Sequence, residues 1–239
     1  MPRLIVRLAL AVVVLVVLLV GADRLTLYLV TRSVVDELQQ TQSLPQPPDV
    51  TIHGFPFLTQ AVSGRYDSVD VTMRDVPATN DLVVKQLDTT LSGVHAPLGQ
   101  AVSGKLNTLA VDHADAVAQI TFAELETAAN KTLDGTGVTV TLGRARADRV
   151  SVAAKVDTLL GTFDVTGQAQ LAVTRGQIAV KVLPATLTGF PAELRDQVAG
   201  LVDLTGLTPE LPFGFKISSV TVAGTGLDVR ATGTSLTIG

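Results

Sequence analysis

The sequence predicts an α+β protein in which long antiparallel strands pack against amphipathic helices, preceded by an apolar N-terminal helix. Valine and threonine make up more than a quarter of the 239 residues, and both are β-branched residues that favour strands. Apolar and polar side chains alternate over long stretches, whereas two shorter segments have helical spacing. With 46% apolar and 17% charged residues, the chain has the composition of a folded protein.

Residues 1–22 are predicted to be a signal peptide or a membrane anchor. Residues 4–22 contain no charged side chain except Arg7, and they are long enough to cross a bilayer if Arg7 reaches the interface. Small residues before Asp23 also suit a signal peptidase, so cleavage is the alternative. In either case the basic end stays inside, and the body of the protein lies outside the cytoplasm.

Residues 23–48 are predicted to continue the helix and to end in a proline-rich linker. Leu27, Val30, Val34 and Leu38 recur at helical spacing, which favours a retained anchor over a cleaved peptide. Three prolines between positions 45 and 48 end the helix. Residues 49–239 then form a single β-rich domain.

The strands of this domain are predicted to have one apolar and one polar face, as antiparallel sheets commonly do. Val69, Val71 and Met73 alternate with polar residues. The longest alternation begins at Phe163 and ends at Val173, which is well above ordinary strand length.

Two amphipathic helices are predicted among the strands. The first follows Thr121, which fits a capping box with Glu124 and puts Phe122 and Leu125 on the apolar stripe. The second begins at Pro191, and its apolar face consists of Leu194, Val198, Leu201 and Val202. Each helix is expected to lay its apolar face on a sheet.

The segment 58–64 has a close counterpart at residues 98–104. Two successive hairpin modules in one curved sheet would explain this repeat, and chance similarity in a chain rich in Val, Gly and Ser is the alternative.

Composition and spacing argue against several functional classes. The absence of cysteine excludes disulfides, thiolate metal sites and a cysteine nucleophile. A net charge of −4 argues against nucleic-acid binding, and the densest basic cluster, at residues 144–149, contains Asp148. The closest thing to a ligand cluster runs from Asp112 through His113 to Asp115, and it lacks the spacing of a zinc helix. We therefore predict no enzyme, no catalytic residue, no metal site and no cofactor.

The segment Gly54-Phe55-Pro56-Phe57-Leu58 is the most unusual stretch of the domain. Gly54 and Pro56 interrupt the strand pattern, so Phe55 and Phe57 lie at a bend. Two interpretations stay open at this point. The phenylalanines either form the mouth of a groove or a membrane-facing tip, or they plug the end of the core. Similarly, Tyr66 either offers its hydroxyl to a ligand headgroup or caps a strand.

Long rows of Val, Leu and Ala suit the disordered acyl chains of a lipid, because binding pockets are mostly apolar with few polar groups. An ordinary sandwich core would have the same composition, so the residues alone leave both interpretations open.

Two segments carry a resemblance to a known family. The stretch from Val50 to Asp75, with the Gly-Phe-Pro-Phe-Leu core at residues 54–58, is similar to the signature of the LmeA-type phospholipid-binding family of actinobacterial cell envelopes. The C-terminal part, from Leu211-Pro-Phe-Gly-Phe through Gly226-Leu-Asp-Val-Arg, resembles the same family. The resemblance implies an exported, membrane-associated, non-catalytic protein. It also implies a tubular lipid-binding (TULIP-like) fold, in which a strongly curved antiparallel sheet wraps a helix and leaves an acyl-chain groove.

The predicted function is therefore an extracytoplasmic lipid-binding, and in one version lipid-transferring, protein of the cell envelope. Its expected partners are a phospholipid or a lipid-linked envelope precursor, and the membrane through residues 4–22. The alternative is a membrane-tethered structural or interaction module with a solid core and no ligand. The residues expected to line the groove or its mouth are Phe55, Phe57, Leu58, Tyr66, Val69, Val71, Met73, Phe122, Leu125, Phe163, Leu194, Val198, Leu201 and Phe213.

Overall fold

The computed structural model describes residues 2–41, 43–78, 82–97, 99, 109–158, 161–174, 176–189 and 215–238. The helices within these ranges are α1 (Pro2–Thr41), α2 (Phe57–Ser63) and α3 (Phe122–Thr132), with a single 3-10 turn at Pro184–Thr186. The strands are β1 (Asp49–His53), β2 (Arg65–Pro77), β3 (Val83–His95), β4 (Leu109–Thr121), β5 (Val138–Arg146), β6 (Arg149–Thr158), β7 (Gly161–Thr174), β8 (Gln177–Val182), β9 (Lys216–Val222) and β10 (Gly226–Ile238).

The strands form two antiparallel sheets, which confirms the predicted α+β class. Sheet A has the order β1-β2-β3-β4-β10-β9, and sheet B has the order β5-β6-β7-β8. Among the described residues neither sheet closes on itself, since β1 and β9 form the edges of sheet A and β5 and β8 those of sheet B. The predicted strong curvature and the TULIP-like wrapping stay predictions.

The register of sheet A aligns apolar side chains in rows across the strands, because directly paired residues share a face. One row begins in β1 and crosses four strands, and it consists of Ile52, Val69, Leu91 and Ala114. The next two rows run through Val71 and Met73 of β2 to Ala231 and Val229 of β10. The period-two alternation of β2 therefore does produce one apolar face.

Two separate core clusters cover parts of these faces. The first joins helices α1 and α2 to sheet A, and its buried members are Val30, Phe57, Ala61, Tyr66, Val94, Ala96, Leu109, Val111, Ala114 and Leu236. The second lies where α3, sheet B and strands β9 and β10 meet, and its buried members are Phe122, Val150, Leu171, Val220 and Val222.

Strand β9 links the two sheets through backbone hydrogen bonds. The Ile217 N–H donates to the Gly176 carbonyl at 3.2 Å, in the turn between β7 and β8. The Val222 N–H donates to the Ala147 carbonyl at 2.8 Å, in the turn between β5 and β6. The edge of sheet A is thus satisfied by two turns of sheet B.

Helix α1 is unbroken across the predicted boundary between residues 22 and 23. Its Arg7–Thr41 portion is long and apolar enough to cross a membrane, and side chains from Leu8 to Val20 are exposed. Beyond them, Val30 is buried in the first cluster, and Leu27 and Val34 pack against it. The same helix therefore provides both the apolar segment and part of the domain core. The predicted division of the chain at residues 22 and 48 stays a prediction.

Helix α3 begins as its sequence predicts, because the Thr121 hydroxyl accepts a hydrogen bond from the Glu124 N–H at 3.2 Å. The helix then protects the free edge of sheet B. The Asn130 amide binds both backbone groups of Val140, and the Glu126 carboxylate accepts from the Leu142 N–H at 2.6 Å. The predicted helix from Pro191 and most of the repeated segment 98–104 lie outside the described residues.

Candidate functional site

Between the two core clusters, sheet A presents a strip of apolar side chains that we call the mid-sheet strip. It consists of Val71, Met73, Leu87, Ala116 and Ala118, and the polar Thr89 lies between Val71 and Ala116 in the same row. Val71 is 9% exposed and the other four are half-buried. Within the described part of the chain, none of the five packs against either cluster. The strip therefore retains apolar surface that the two cores leave uncovered.

The centre of the mid-sheet strip is formed by alanines, whose side chains rise less above the sheet than those of their larger neighbours. Ala116 and Ala118 of β4 pair with Ala231 and Val229 of β10, so small side chains face each other at the middle of the sheet. Larger side chains border them, with Met73 and Leu87 on β2 and β3. An apolar chain laid along the alanines would contact Leu87 of β3 on one side and Val229 of β10 on the other.

Sheet B carries a second uncovered group of apolar side chains, which we call the sheet B strip. Its members are Val138, Val140, Ala154, Val156, Phe163 and Val165, and the register places them in two adjacent rows. Phe163 is 46% exposed and the others are half-buried. As in sheet A, none of them packs against a core cluster of the described residues.

An open cavity of about 350 Å³ lies on sheet B, where it is lined by residues 141–143, 151–153, 166–168 and Thr186. Its wall combines the hydroxyls and amide of threonine, serine and glutamine with only Leu142 and Val152 as large apolar residues. Its volume lies near the lower limit for small-molecule sites, which are mostly apolar. The two apolar strips are therefore better candidates for lipid contact than this cavity.

The predicted lining residues fall in different places. Val71 and Met73 belong to the mid-sheet strip, and Phe163 belongs to the sheet B strip. Phe57 and Tyr66 are buried in the first cluster, and Val69 packs against it. Phe122 is buried in the second cluster, and Leu125 packs against it. Leu58 is half-buried on α2, and Phe55 is exposed. Four predicted residues lie outside the described ranges, namely Leu194, Val198, Leu201 and Phe213.

Sequence reasoning missed Leu87, Ala116 and Ala118 as members of the mid-sheet strip. Alanines at positions 114, 116 and 118 do alternate with period two, which was the available signal. Their small size makes them easy to overlook, since lipid contact is usually sought at large side chains. Contact of any of these residues with lipid stays a proposal.

The unusual segment at residues 54–58, which we call the hook, joins the domain to α1. Phe57 is the first residue of α2 and is 1% exposed, whereas Phe55 is 62% exposed. Of the two interpretations that the sequence left open, the position of Phe57 agrees with packing in the core. The Phe55 ring lies 5.0 Å from the guanidinium carbon of Arg24 on α1.

Two buried polar side chains hold this hook in place. The Asp23 carboxylate of α1 accepts the Leu58 N–H at 2.8 Å. The Gln60 amide donates to the His53 carbonyl at 3.2 Å and accepts from the Asp67 N–H at 2.9 Å. Gly54 makes this possible, because at its φ of +103° a Cβ atom would overlap the Gln60 side chain.

Tyr66 is buried, and its hydroxyl has no hydrogen-bond partner among the described residues. The ring packs against Phe57, with centroids 5.9 Å apart. Burial raises the pKa of the Tyr66 hydroxyl above its ordinary value of 10.0. In this structure Tyr66 is part of the core, and a contact of its hydroxyl with a lipid headgroup stays a prediction.

The histidines of the chain lie on strands of sheet A, and each pairs with an aspartate. The Nε2–Oδ distances are 2.7 Å for His53 and Asp70, 3.2 Å for His95 and Asp112, and 3.0 Å for His113 and Asp115. The His53 hydrogen bond lowers the pKa of Asp70, and one with Thr90 adds to the effect. Within the described ranges, no group of three or more His, Asp or Glu side chains could hold a metal ion.

The model of a protein family described as LmeA-like phospholipid-binding matches residues 21–232, which is most of the chain. No curated protein and no solved structure matches the chain.

Proposed function

Because the chain belongs to the LmeA-like phospholipid-binding family, we propose that it holds the acyl chains of a phospholipid, or of a lipid-linked envelope precursor, outside the cytoplasm. The protein acts without catalysis, and α1 anchors it in the membrane. The single observation that carries this proposal is the mid-sheet strip, an apolar and half-buried surface between two packed cores.

The mid-sheet strip and the sheet B strip suit hydrocarbon because their named members are apolar, and Thr89 is the one polar side chain that the register places among those of the mid-sheet strip. Each methylene that a ligand buries there contributes about 0.8 kcal/mol, so even part of an acyl chain gains several kcal/mol. The headgroup of such a lipid, in contrast, needs polar or charged side chains at one end of the strip. Next to the row of Met73 and Leu87, toward the β2–β3 turn, Lys85 lies 2.7 Å from Asp75 and keeps 60% of its side chain exposed. We place the headgroup at Lys85.

Retention of α1 as an anchor is supported by the position of Asp23. Cleavage after Ala22 would place a new, charged N-terminus at Asp23, which is 2% exposed, and burying a charge is costly. N-terminal sequencing or intact mass of the protein isolated from membranes would decide. A mature chain that begins at Asp23 would contradict the anchor.

Lipid binding can be tested with a variant that fills the strip. Purified full-length protein is extracted with organic solvent, the extract is analysed by mass spectrometry, and binding of a fluorescent phospholipid is titrated. Ala118→Phe projects a ring into the half-buried strip, and we expect affinity to fall about tenfold, or about 1.4 kcal/mol. Ala123→Phe, at an exposed position of α3, is the matched control and should bind normally.

The second candidate is the tethered module with a solid core, and the small, mixed-polarity cavity on sheet B favours it. This candidate predicts that no lipid copurifies, that the fluorescent phospholipid does not bind, and that Ala118→Phe and Ala123→Phe behave alike. The solid-core module would be excluded if phospholipid copurifies with the unmodified protein and is lost from Ala118→Phe, while circular dichroism shows that the variant is folded.

A further inference from the structure

A group of large apolar side chains is exposed where α1 meets the domain. Leu25, Tyr28 and Leu29 of α1 are 61%, 60% and 54% exposed, and Phe55 of the neighbouring hook is 62% exposed. Leu25, Tyr28 and Leu29 lie at positions i, i+3 and i+4 of the helix and share one face, and an exposed apolar face of this kind marks a site that contacts another molecule or a membrane. The group directly continues the exposed apolar side chains at positions 8–20 of the same helix.

The position of Arg24 gives the height of this group relative to a bilayer. From Arg7 to Arg24 the helix rises about 25 Å at 1.5 Å per residue. The hydrocarbon core is about 30 Å thick, and arginine side chains at both ends can extend a few ångströms to the polar interfaces. A helix placed in this way has Arg24 at the outer interface.

Phe55 shares this height because its ring lies against Arg24 at 5.0 Å. Tyr28 follows one helical turn above Arg24 and is also exposed. Aromatic side chains concentrate at the level of the lipid headgroups, where their rings contact both the acyl chains and water. The exposed Phe55 and Tyr28 thus have the composition and the height of an interfacial belt.

The hook cannot move away from α1 without disrupting the core. The Asp23 carboxylate binds the Leu58 N–H at 2.8 Å, and Phe57 is buried in the same cluster as Val30 of α1. Phe55 is therefore held at a fixed place relative to the helix, two residues before a buried anchor.

We propose that Phe55, together with Leu25, Tyr28 and Leu29, seats the domain in the outer headgroup region of the bilayer that α1 crosses. The occupant of this surface is the phospholipid interface, and continuity with the apolar run of α1 is the argument for it. The proposal rests on the membrane anchoring proposed above. It is independent of whether the mid-sheet strip holds a lipid.

The chain contains no tryptophan, so a single introduced tryptophan reports on one position. Full-length Phe55→Trp is reconstituted in phosphatidylglycerol and phosphatidylcholine vesicles whose acyl chains are brominated, which quench nearby indole. Leu15→Trp, in the middle of the apolar run, reports on anchoring. Ala123→Trp, on the exposed side of α3, is the matched control for a domain position in water.

For Phe55→Trp we expect a blue shift and loss of about half of its emission, which is typical of a ring at headgroup level. Leu15→Trp should be quenched more strongly, and Ala123→Trp should be unaffected. Water-like, unquenched emission from Phe55→Trp beside a quenched Leu15→Trp would overturn the seat while leaving the anchor intact. If the emission of Phe55→Trp is water-like at low protein density, and shifts to the blue without quenching only at high protein density, the surface contacts a second copy of the chain instead of the bilayer. Absence of quenching at both positions would overturn the anchor and the seat together.

Discussion

The carboxylate of Asp23 accepts a hydrogen bond from the Leu58 amide at 2.8 Å, across 35 positions of the sequence. Asp23 is 2% exposed, although it directly follows the longest apolar run of the chain. The bond fastens the first turn of α2 to the side of α1. The helix whose N-terminal part is long and apolar enough to cross a membrane is therefore also a structural element of the domain.

Removal of this bond should destabilise the domain. For Asp23→Ala we expect the free energy of unfolding to fall by about 1 to 2 kcal/mol, because a buried acceptor for a backbone N–H in the first turn of α2 is lost. Asp23→Asn keeps an acceptor oxygen and should lose less. Urea denaturation followed by circular dichroism, with the same detergent for every protein, measures the free energy of unfolding of both variants. Equal stability of all three proteins would contradict a role of the bond in holding α2.

Replacement of Tyr66 by phenylalanine should stabilise the protein. The buried hydroxyl has no partner among the described residues, and its removal should raise the free energy of unfolding by up to about 1 kcal/mol. Tyr28→Phe, at the other and exposed tyrosine, is the control. A drop in phospholipid affinity of Tyr66→Phe at unchanged stability would instead assign the hydroxyl to a headgroup.

The same substitution should change the response to alkaline pH. Burial raises the pKa of Tyr66, so the unfolded chain releases this proton near the ordinary value of 10.0 while the folded chain still holds it. The stability associated with Tyr66 is therefore complete below 10.0 and is lost as the pH rises above it. Tyr66→Phe should show a smaller loss of stability between neutral and strongly alkaline pH than the unmodified protein.

Acid should reveal the contribution of Asp70. Its pKa is lowered, mainly by the hydrogen bond to His53, so its stabilisation is present above the ordinary value of 3.8 and is lost as the pH falls below it. Because the Asp70 side chain is 47% exposed, Asp70→Asn should cost less than about 1 kcal/mol at neutral pH. The two proteins should converge in urea titrations as the pH falls. A difference that persists at about pH 2 would contradict this assignment.

The free edge of sheet B should depend on Asn130. Its side chain accepts the Val140 N–H at 2.6 Å and donates to the Val140 carbonyl at 2.9 Å, as a neighbouring strand would. Asn130→Ala should lower the free energy of unfolding by about 2 kcal/mol, at roughly 1 kcal/mol per hydrogen bond. Asn130→Asp keeps only the acceptor, so an intermediate loss is expected. Thermal unfolding that gives the reverse order would exclude this account.

The proposed headgroup site predicts a selective effect at Lys85. Loss of one exposed positive charge in Lys85→Gln should weaken binding of an anionic phospholipid about threefold, with little change for a zwitterionic one. Lys155→Gln removes an exposed lysine from sheet B and is the matched control. An equal decrease for both lipids, or for both variants, would mean that Lys85 does not contact the headgroup.

Much of the strand structure could be predicted because a buried face imposes period two on a strand. The alternation at Val69, Val71 and Met73 correctly identified the apolar face of β2, and the pattern at Thr121 correctly identified the start of α3. Both signals are local. Each depends on residues a few positions apart, whose side chains the backbone geometry places together.

The hook and its attachment to α1 could not be predicted in the same way. Phe55 and Phe57 are two residues apart and equally apolar, and the turn into α2 is what buries one and exposes the other. The partner of the Leu58 amide is 35 positions away, and no local pattern connects them. Likewise, the uncovered strip depends on which parts of sheet A the two cores reach, and this follows from long-range packing.

With α1 retained as the proposed anchor, its unbroken course would also limit how far the domain can travel. A carrier on a long flexible tether sweeps a large volume and can ferry cargo between two membranes. Here Leu27, Val30 and Val34 of α1 belong to or pack against the first core cluster, so no flexible segment separates this helix from the domain. Such a protein would bind and release its lipid close to one leaflet, and transfer of the lipid over a longer distance would require a partner protein that approaches this leaflet.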